Sequence, residues 1–141
     1  MGPIRILIVD DFAPWRRSVR SILAKDADLE VVGESSDGLE AVQKSKELQP
    51  DLVLLDIQLP TMNGVDSARE IRKLLPGTKI LFLSSYQDVD VMRDALRVGA
   101  GFVVKADASR DLLHLLKAVI RNEPFLRFRF LHDGKPNPDQ M

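Results

Sequence analysis

"IRILIVDDF", residues Ile4 to Phe12, runs a mostly aliphatic segment straight into a pair of carboxylates. From Ile4 to Val9 only Arg5 is polar, a composition suited to a strand covered on both faces, as in a parallel sheet flanked by helices. Four more short apolar runs follow, at Leu29 to Val32, Leu52 to Leu55, Lys79 to Leu83 and Gly101 to Val104. Each has the length and residue types of a strand. Between them apolar residues recur at helical spacing: Trp15, Val19, Ile22 and Leu23; Leu39 and Val42; Val65, Ala68, Ile71 and Leu75; Met92, Ala95 and Leu96. A fifth set, Leu112, Leu115, Leu116, Val119 and Ile120, follows Ser109 or a neighbouring Asp as N-cap. Strict alternation of strand and helix predicts an α/β fold, because right-handed crossovers place helices on both faces of a parallel sheet.

The breakers fall between these elements. Pro14 suits a first helical turn, Pro50 and Pro76 follow helices, and Gly99 stands where a helix C-terminus favours a left-handed residue. At 141 residues, 45% hydrophobic and 29% charged, the chain fits one globular domain with a single sizeable core. Its net charge of -1 supplies no global attraction for nucleic acid or an anionic membrane. The absence of cysteine excludes disulfides, thiolate metal sites and cysteine nucleophiles, and fits a reducing compartment. No apolar stretch approaches membrane-spanning length and no signal segment opens the chain, so the expected location is the cytoplasm.

Ligands of such folds bind outside the carboxyl ends of the strands. Four of those ends carry polar groups here: Asp10 and Asp11 after the first, Asp56 after the third, Ser84 and Ser85 after the fourth, and Lys105 after the fifth. Converging carboxylates repel one another, and a hard divalent cation such as Mg2+ relieves the repulsion. A carboxylate beside such a cation and a lysine ammonium can attack a phosphoryl group and become an aspartyl phosphate. An Asp after a strand is commonly a turn former or an N-cap, and for Asp11 alone that reading prevails. An acid pair, an acid, a hydroxyl and a lysine in register are what favour a site.

With these residues in view, the segment from Ile4 to about Asn122 resembles the receiver domain of bacterial two-component response regulators. The motifs "VDD", "LLDIQLPTMNG", "LSS" and "FVVKAD" occur in that family's order. The resemblance implies a flavodoxin-like five-stranded parallel sheet of order 2-1-3-4-5. It implies Asp56 as acceptor of phosphoryl from a sensor histidine kinase, with Asp10, Asp11, Asp56 and the backbone carbonyl of Gln58 around Mg2+. It further implies Lys105 pairing with the phosphoryl group, Ser84 hydrogen-bonding one of its oxygens, and Phe102 as a switch aromatic that turns inward. The fourth helix, fifth strand and fifth helix would then change as a surface. Such a chain is a signalling switch rather than an enzyme, acting on its own Asp and losing the phosphoryl group by autodephosphorylation.

Ala106 stands where many receivers carry proline after the lysine, so a cis bond is not expected there. That variant is most similar to receivers of regulators bearing a LuxR-type helix-turn-helix. Phe102 in place of Tyr removes a hydroxyl, and Leu59 for a frequent Met is an apolar exchange. Trp15 reads as packing or a partly exposed patch, Tyr86 as a loop residue, and His114 and His132 lack metal-ligand company. Pro60 and Gly64 read as backbone-shaping residues of the loop that frames Asp56.

Residues 1–122 therefore form the expected receiver domain and 123–141 a tail. In "EPFLRFRFLHDGKPNPDQM", Leu126, Phe128 and Phe130 alternate with Arg127 and Arg129, the pattern of a short strand or a docking segment, before a polar end. The tail leaves no room for a helix-turn-helix, so no direct nucleic-acid or membrane binding is expected, and output falls to a protein partner or a second copy. The alternatives are a constitutive interaction module and the N-terminal piece of a DNA-binding regulator. A haloacid-dehalogenase-like phosphatase needs an Asp where Gln58 stands, and a nucleotide-binding domain needs glycines absent from "DDFAPW".

Overall fold

The computed structural model describes residues 2–85, 89–99 and 101–122. Strands β1 (Ile4–Val9), β2 (Leu29–Ser35), β3 (Leu52–Leu55), β4 (Lys79–Ser84) and β5 (Gly101–Val104) form one parallel sheet in the order β2-β1-β3-β4-β5. They alternate with helices α1 (Ala13–Leu23), α2 (Gly38–Leu48), α3 (Gly64–Leu74), α4 (Val89–Val98) and α5 (Ala108–Ile120). A 3-10 turn over Lys105–Asp107 leads into α5. No helix among the described residues is long and apolar enough to cross a membrane.

Side chains alternate across a strand, and the two faces of this sheet find different cover. Ile6, Ile8, Leu52, Leu54, Leu81 and Val103 point to the face packed by α1 and α5, against Val19, Leu23, Leu112 and Leu116. Leu7, Val9, Val53, Leu55, Phe82 and Phe102 point to the face packed by α2, α3 and α4, against Ala41, Ala68, Ile71 and Ala95. Every residue of β3 and β5 is buried, which is why these short strands read as unbroken apolar runs.

Arg5, the polar exception in β1, has a structural task. Its guanidinium donates to the carbonyls of Leu48 and Gln49 at 2.7 and 2.9 Å, satisfying the C-terminal end of α2. Gln49 ends that helix with φ 48°. At their N-termini, Asp37 accepts the Glu40 amide of α2 at 2.7 Å and Asn63 accepts the Asp66 amide of α3 at 2.9 Å.

Several boundaries and roles differ from expectation. β2 continues past Val32 to Ser35, because Gly33, Glu34 and Ser35 stay paired with Leu7, Ile8 and Val9 after a register shift. A glycine and two polar residues conceal that pairing from a periodicity reading. Neither Ser109 nor Asp107 caps α5 through its side chain; the 3-10 turn feeds the helix directly. Gly99 is not left-handed. A Cβ there would sit 2.7 Å from the Phe82 ring, so room for that ring is what requires glycine. The sequence-predicted tail strand, His132 and Tyr86 lie outside the described residues.

Candidate functional site

The strand order reverses at β1, whose neighbours are β2 and β3, and the ends of β1 and β3 therefore lie side by side. Main-chain pairing carries the sheet one residue further: the Asp10 amide donates to the Ser35 carbonyl and the Asp56 amide to the Val9 carbonyl, each at 3.0 Å. Asp10 and Asp56 are thereby fixed as neighbours. Asp10 is 2% exposed and Asp56 6%. Asp11 is exposed. One oxygen from each of the three carboxylates lies within 4.8 Å of the others.

Lys105, brought in from the end of β5, is the cation of this cluster. Its Nζ donates to Asp10 Oδ2 at 2.5 Å and to Asp56 Oδ2 at 3.4 Å. Burial pushes the Asp56 carboxyl up to about 6, with the nearby Asp10 adding to the rise, while Lys105 and the backbone N–H groups of Ile57 and Gln58 pull it down. Among the described residues, three carboxylates against one ammonium leave negative charge uncompensated, and an all-oxygen donor set suits a hard divalent cation. The residues present thus fit Mg2+.

These groups open onto a cleft of about 550 Å³ that is also lined by Phe12, Pro14, Trp15, Gln58 and Ser85. Ser85 is exposed to it, whereas Ser84 is buried at the end of β4 and Phe102 is buried in the core at 1% exposure. The Phe102 ring is thus already turned inward, its residue paired with Phe82 of the neighbouring β4.

The loop holding Asp10 is braced from α1. Asp10 Oδ1 accepts the Phe12 amide at 2.9 Å, closing a turn before the helix, and Arg16 donates to the Asp10 carbonyl at 2.6 Å. Asp11 is not the cap of α1: Phe12 holds that N-cap position, without a side-chain hydrogen bond. Arg16 also pairs with Glu34 at 2.7 Å, and Arg20 pairs with the same carboxylate. Burial pushes the Glu34 carboxyl up, but the two guanidiniums more than offset it and hold the group below the usual glutamate range.

The loop after Asp56 is braced from α2. Thr61 has φ 67°, a strained value for a β-branched residue. Its hydroxyl donates to Asp37 Oδ1 and accepts the Leu39 amide, both at 3.1 Å. Gly64 has no positive φ; a Cβ there would lie 2.0 Å from the Asp56 carbonyl oxygen. Space beside Asp56, not backbone freedom, requires that glycine. Sequence reasoning passed over Arg16, Thr61 and the placement of Trp15, whose ring centroid is 5.2 Å from Lys105 Nζ. None of the three sits at a strand end, and the fold alone brings them to the cleft.

The model of the response regulator receiver domain family matches residues 6–117. The response regulator protein VraR of Staphylococcus aureus is 38% identical over 122 residues, which are 85% of this chain and 58% of that protein. This chain thus spans a little over half the length of the curated relatives it matches. Among solved structures, the response regulator domain of Thermotoga maritima CheB superposes with a TM-score of 0.79 at 31% identity, over 84% of this chain and 97% of that one. A two-component response regulator of the LuxR family from Aurantimonas gives 0.83 at 25% identity, over 94% and 98%.

Proposed function

The chain belongs to the response regulator receiver domain family, and from that membership we propose that it is a phosphorylation-switched receiver whose acceptor is Asp56. The observation that carries this reading is the convergence of Asp10, Asp11 and Asp56 with Lys105 at the point where the strand order reverses. A sensor histidine kinase is the proposed donor. A carboxylate oxygen of Asp56 bonds to phosphorus, the bond from phosphorus to the donor's imidazole nitrogen breaks, and the imidazole leaves with that electron pair.

Asp10, Asp11, Asp56 and the Gln58 carbonyl would hold Mg2+. When bound it offsets the charge on the phosphoryl oxygens. Lys105, which already contacts both Asp10 and Asp56, supplies a second positive charge to the new phosphoryl oxygens. Burial of Asp56 limits the access of water to the acyl phosphate, and autodephosphorylation depends on what reaches it through the cleft. Ser84 would then reach a phosphoryl oxygen, drawing the end of β4 toward β3. The inward Phe102 would be held in place, and α4, β5 and α5 would shift as one surface toward a protein partner or a second copy. Residues 1–122 constitute this switch, with 123–141 as a tail appended to α5.

Intact mass after incubation with Mg2+ and a small-molecule phosphodonor tests the reading. Wild type gains one phosphoryl group and Asp56→Asn gains none. Label on Asp56→Asn would sink the assignment of the acceptor.

A further inference from the structure

We propose that Trp15 is a positioning residue for Lys105: the face of its indole holds the lysine ammonium above Asp10 and Asp56. The functional half of this inference rests on the phosphoacceptor reading above; the structural half does not. Lys105 Nζ lies 5.2 Å from the centroid of the Trp15 ring, inside the range in which the ring quadrupole attracts a cation. Two of the ammonium's donors go to Asp10 and Asp56. The ring covers another side of the same group.

The platform is anchored in the fold. Trp15 lies in the first turn of α1, directly after Pro14, and its ring packs against the core between the sheet, α1 and α5. Lys105 by itself is not rigid. It begins the 3-10 turn after β5, its side chain is 19% exposed, and its four-carbon stem has solvent-facing rotamers to occupy. A stem held in place loses less freedom when a phosphoryl group arrives, so the indole preorganises the cation for that event.

The test has two arms on the full chain. In the metal-free protein, the ε-methylene protons of Lys105 show an upfield ring-current shift by NMR. That shift persists in Trp15→Phe and is lost in Trp15→Leu. Its absence in wild type overturns the inference, whatever the protein does with phosphoryl donors. In the second arm, affinity for beryllofluoride with Mg2+ is measured by calorimetry. Trp15→Leu weakens it roughly five- to tenfold, in line with a partly desolvated cation–π contact, and Trp15→Phe recovers most of the loss. In a Lys105→Gln background the same Trp15→Leu change has no further effect. Equal losses in both backgrounds would mean that the indole acts only as a wall of the cleft, and tighter binding by Trp15→Leu would mean that it holds Lys105 back; either overturns the inference. If wild type binds no beryllofluoride, the phosphoacceptor reading falls, and the first arm still decides whether the ring holds the ammonium.

Discussion

Asp56 stores a cost in the metal-free fold that pH reveals. Its carboxyl, ordinarily near 3.8, is pushed up to about 6 by burial and by Asp10. The folded chain therefore binds the Asp56 proton at pH values where the unfolded chain has released it. Stability falls as pH rises from about 4 through about 6, by roughly 2 to 3 kcal/mol from this group. Asp56→Asn removes the charged form altogether. Urea unfolding in chelator should find the variant more stable than wild type above pH 6, with the difference fading toward pH 4. A difference that stays constant with pH would assign it to some other property of asparagine. The acids and Lys105 were legible in the sequence because each closes a strand, where apolar residues give way to polar ones. Arg16 and Trp15 were not, since a helical arginine or tryptophan has no local mark that distinguishes a brace from ordinary packing.

At the scale of elements, the frame around Asp56 depends on how closely α2 and α3 approach. A Cβ on Gly38 would lie 1.8 Å from the Met62 carbonyl oxygen, and the Ser67 hydroxyl donates to the Gly38 carbonyl at 3.0 Å. The Gly38 amide in turn donates to the Pro60 carbonyl at 3.1 Å. Backbone atoms cannot yield as a flexible side-chain tip would, so Gly38→Ala should cost roughly 1 to 3 kcal/mol. Gly77→Ala is the control, since a Cβ there meets nothing within 4 Å and the residue has no positive φ. It should change stability by no more than about 0.5 kcal/mol in either direction. Thermal denaturation of the two variants checks the contrast, and equal effects would refute it. Strand and helix existence was readable from periodicity, while the reasons for Gly64 and Gly99 were not. Both glycines make room for a residue of the preceding strand end or strand, Asp56 in one case and Phe82 in the other. No pattern along the chain encodes a distance between elements.

Across the whole molecule, the two halves of the helical cover on the Phe102 face are held differently. The alternation of elements predicted a parallel sheet with helices on both faces, but the strand order came from resemblance, and that order is what sets Asp10, Asp56 and Lys105 together. On one side of the site, α2 and α3 are closed by Gly38, Ser67 and the strained Thr61, which ties the loop after Asp56 to the start of α2. On the other side, α4 buries Met92, Ala95 and Leu96, leaves Val89 44% exposed, and is bonded to α3 through Arg72 and the Val98 carbonyl at 2.8 Å. Its Asp90–Arg93 and Asp94–Arg97 pairs are exposed and internal to the helix, contributing little to fixing it on the sheet. A charge added at Asp56 should therefore leave the closed α2–α3 half in place and move the side that carries Lys105. Amide hydrogen exchange with and without Mg2+ and beryllofluoride reads this directly: protection should change in α4, β5 and the start of α5, and stay constant in α2 and α3. Asp56→Asn should show no change in any of these elements. Equal changes on both sides would mean that the Gly38 and Thr61 contacts do not lock the α2–α3 half, and no change in wild type despite bound analogue would separate phosphoryl binding from any switch of surface.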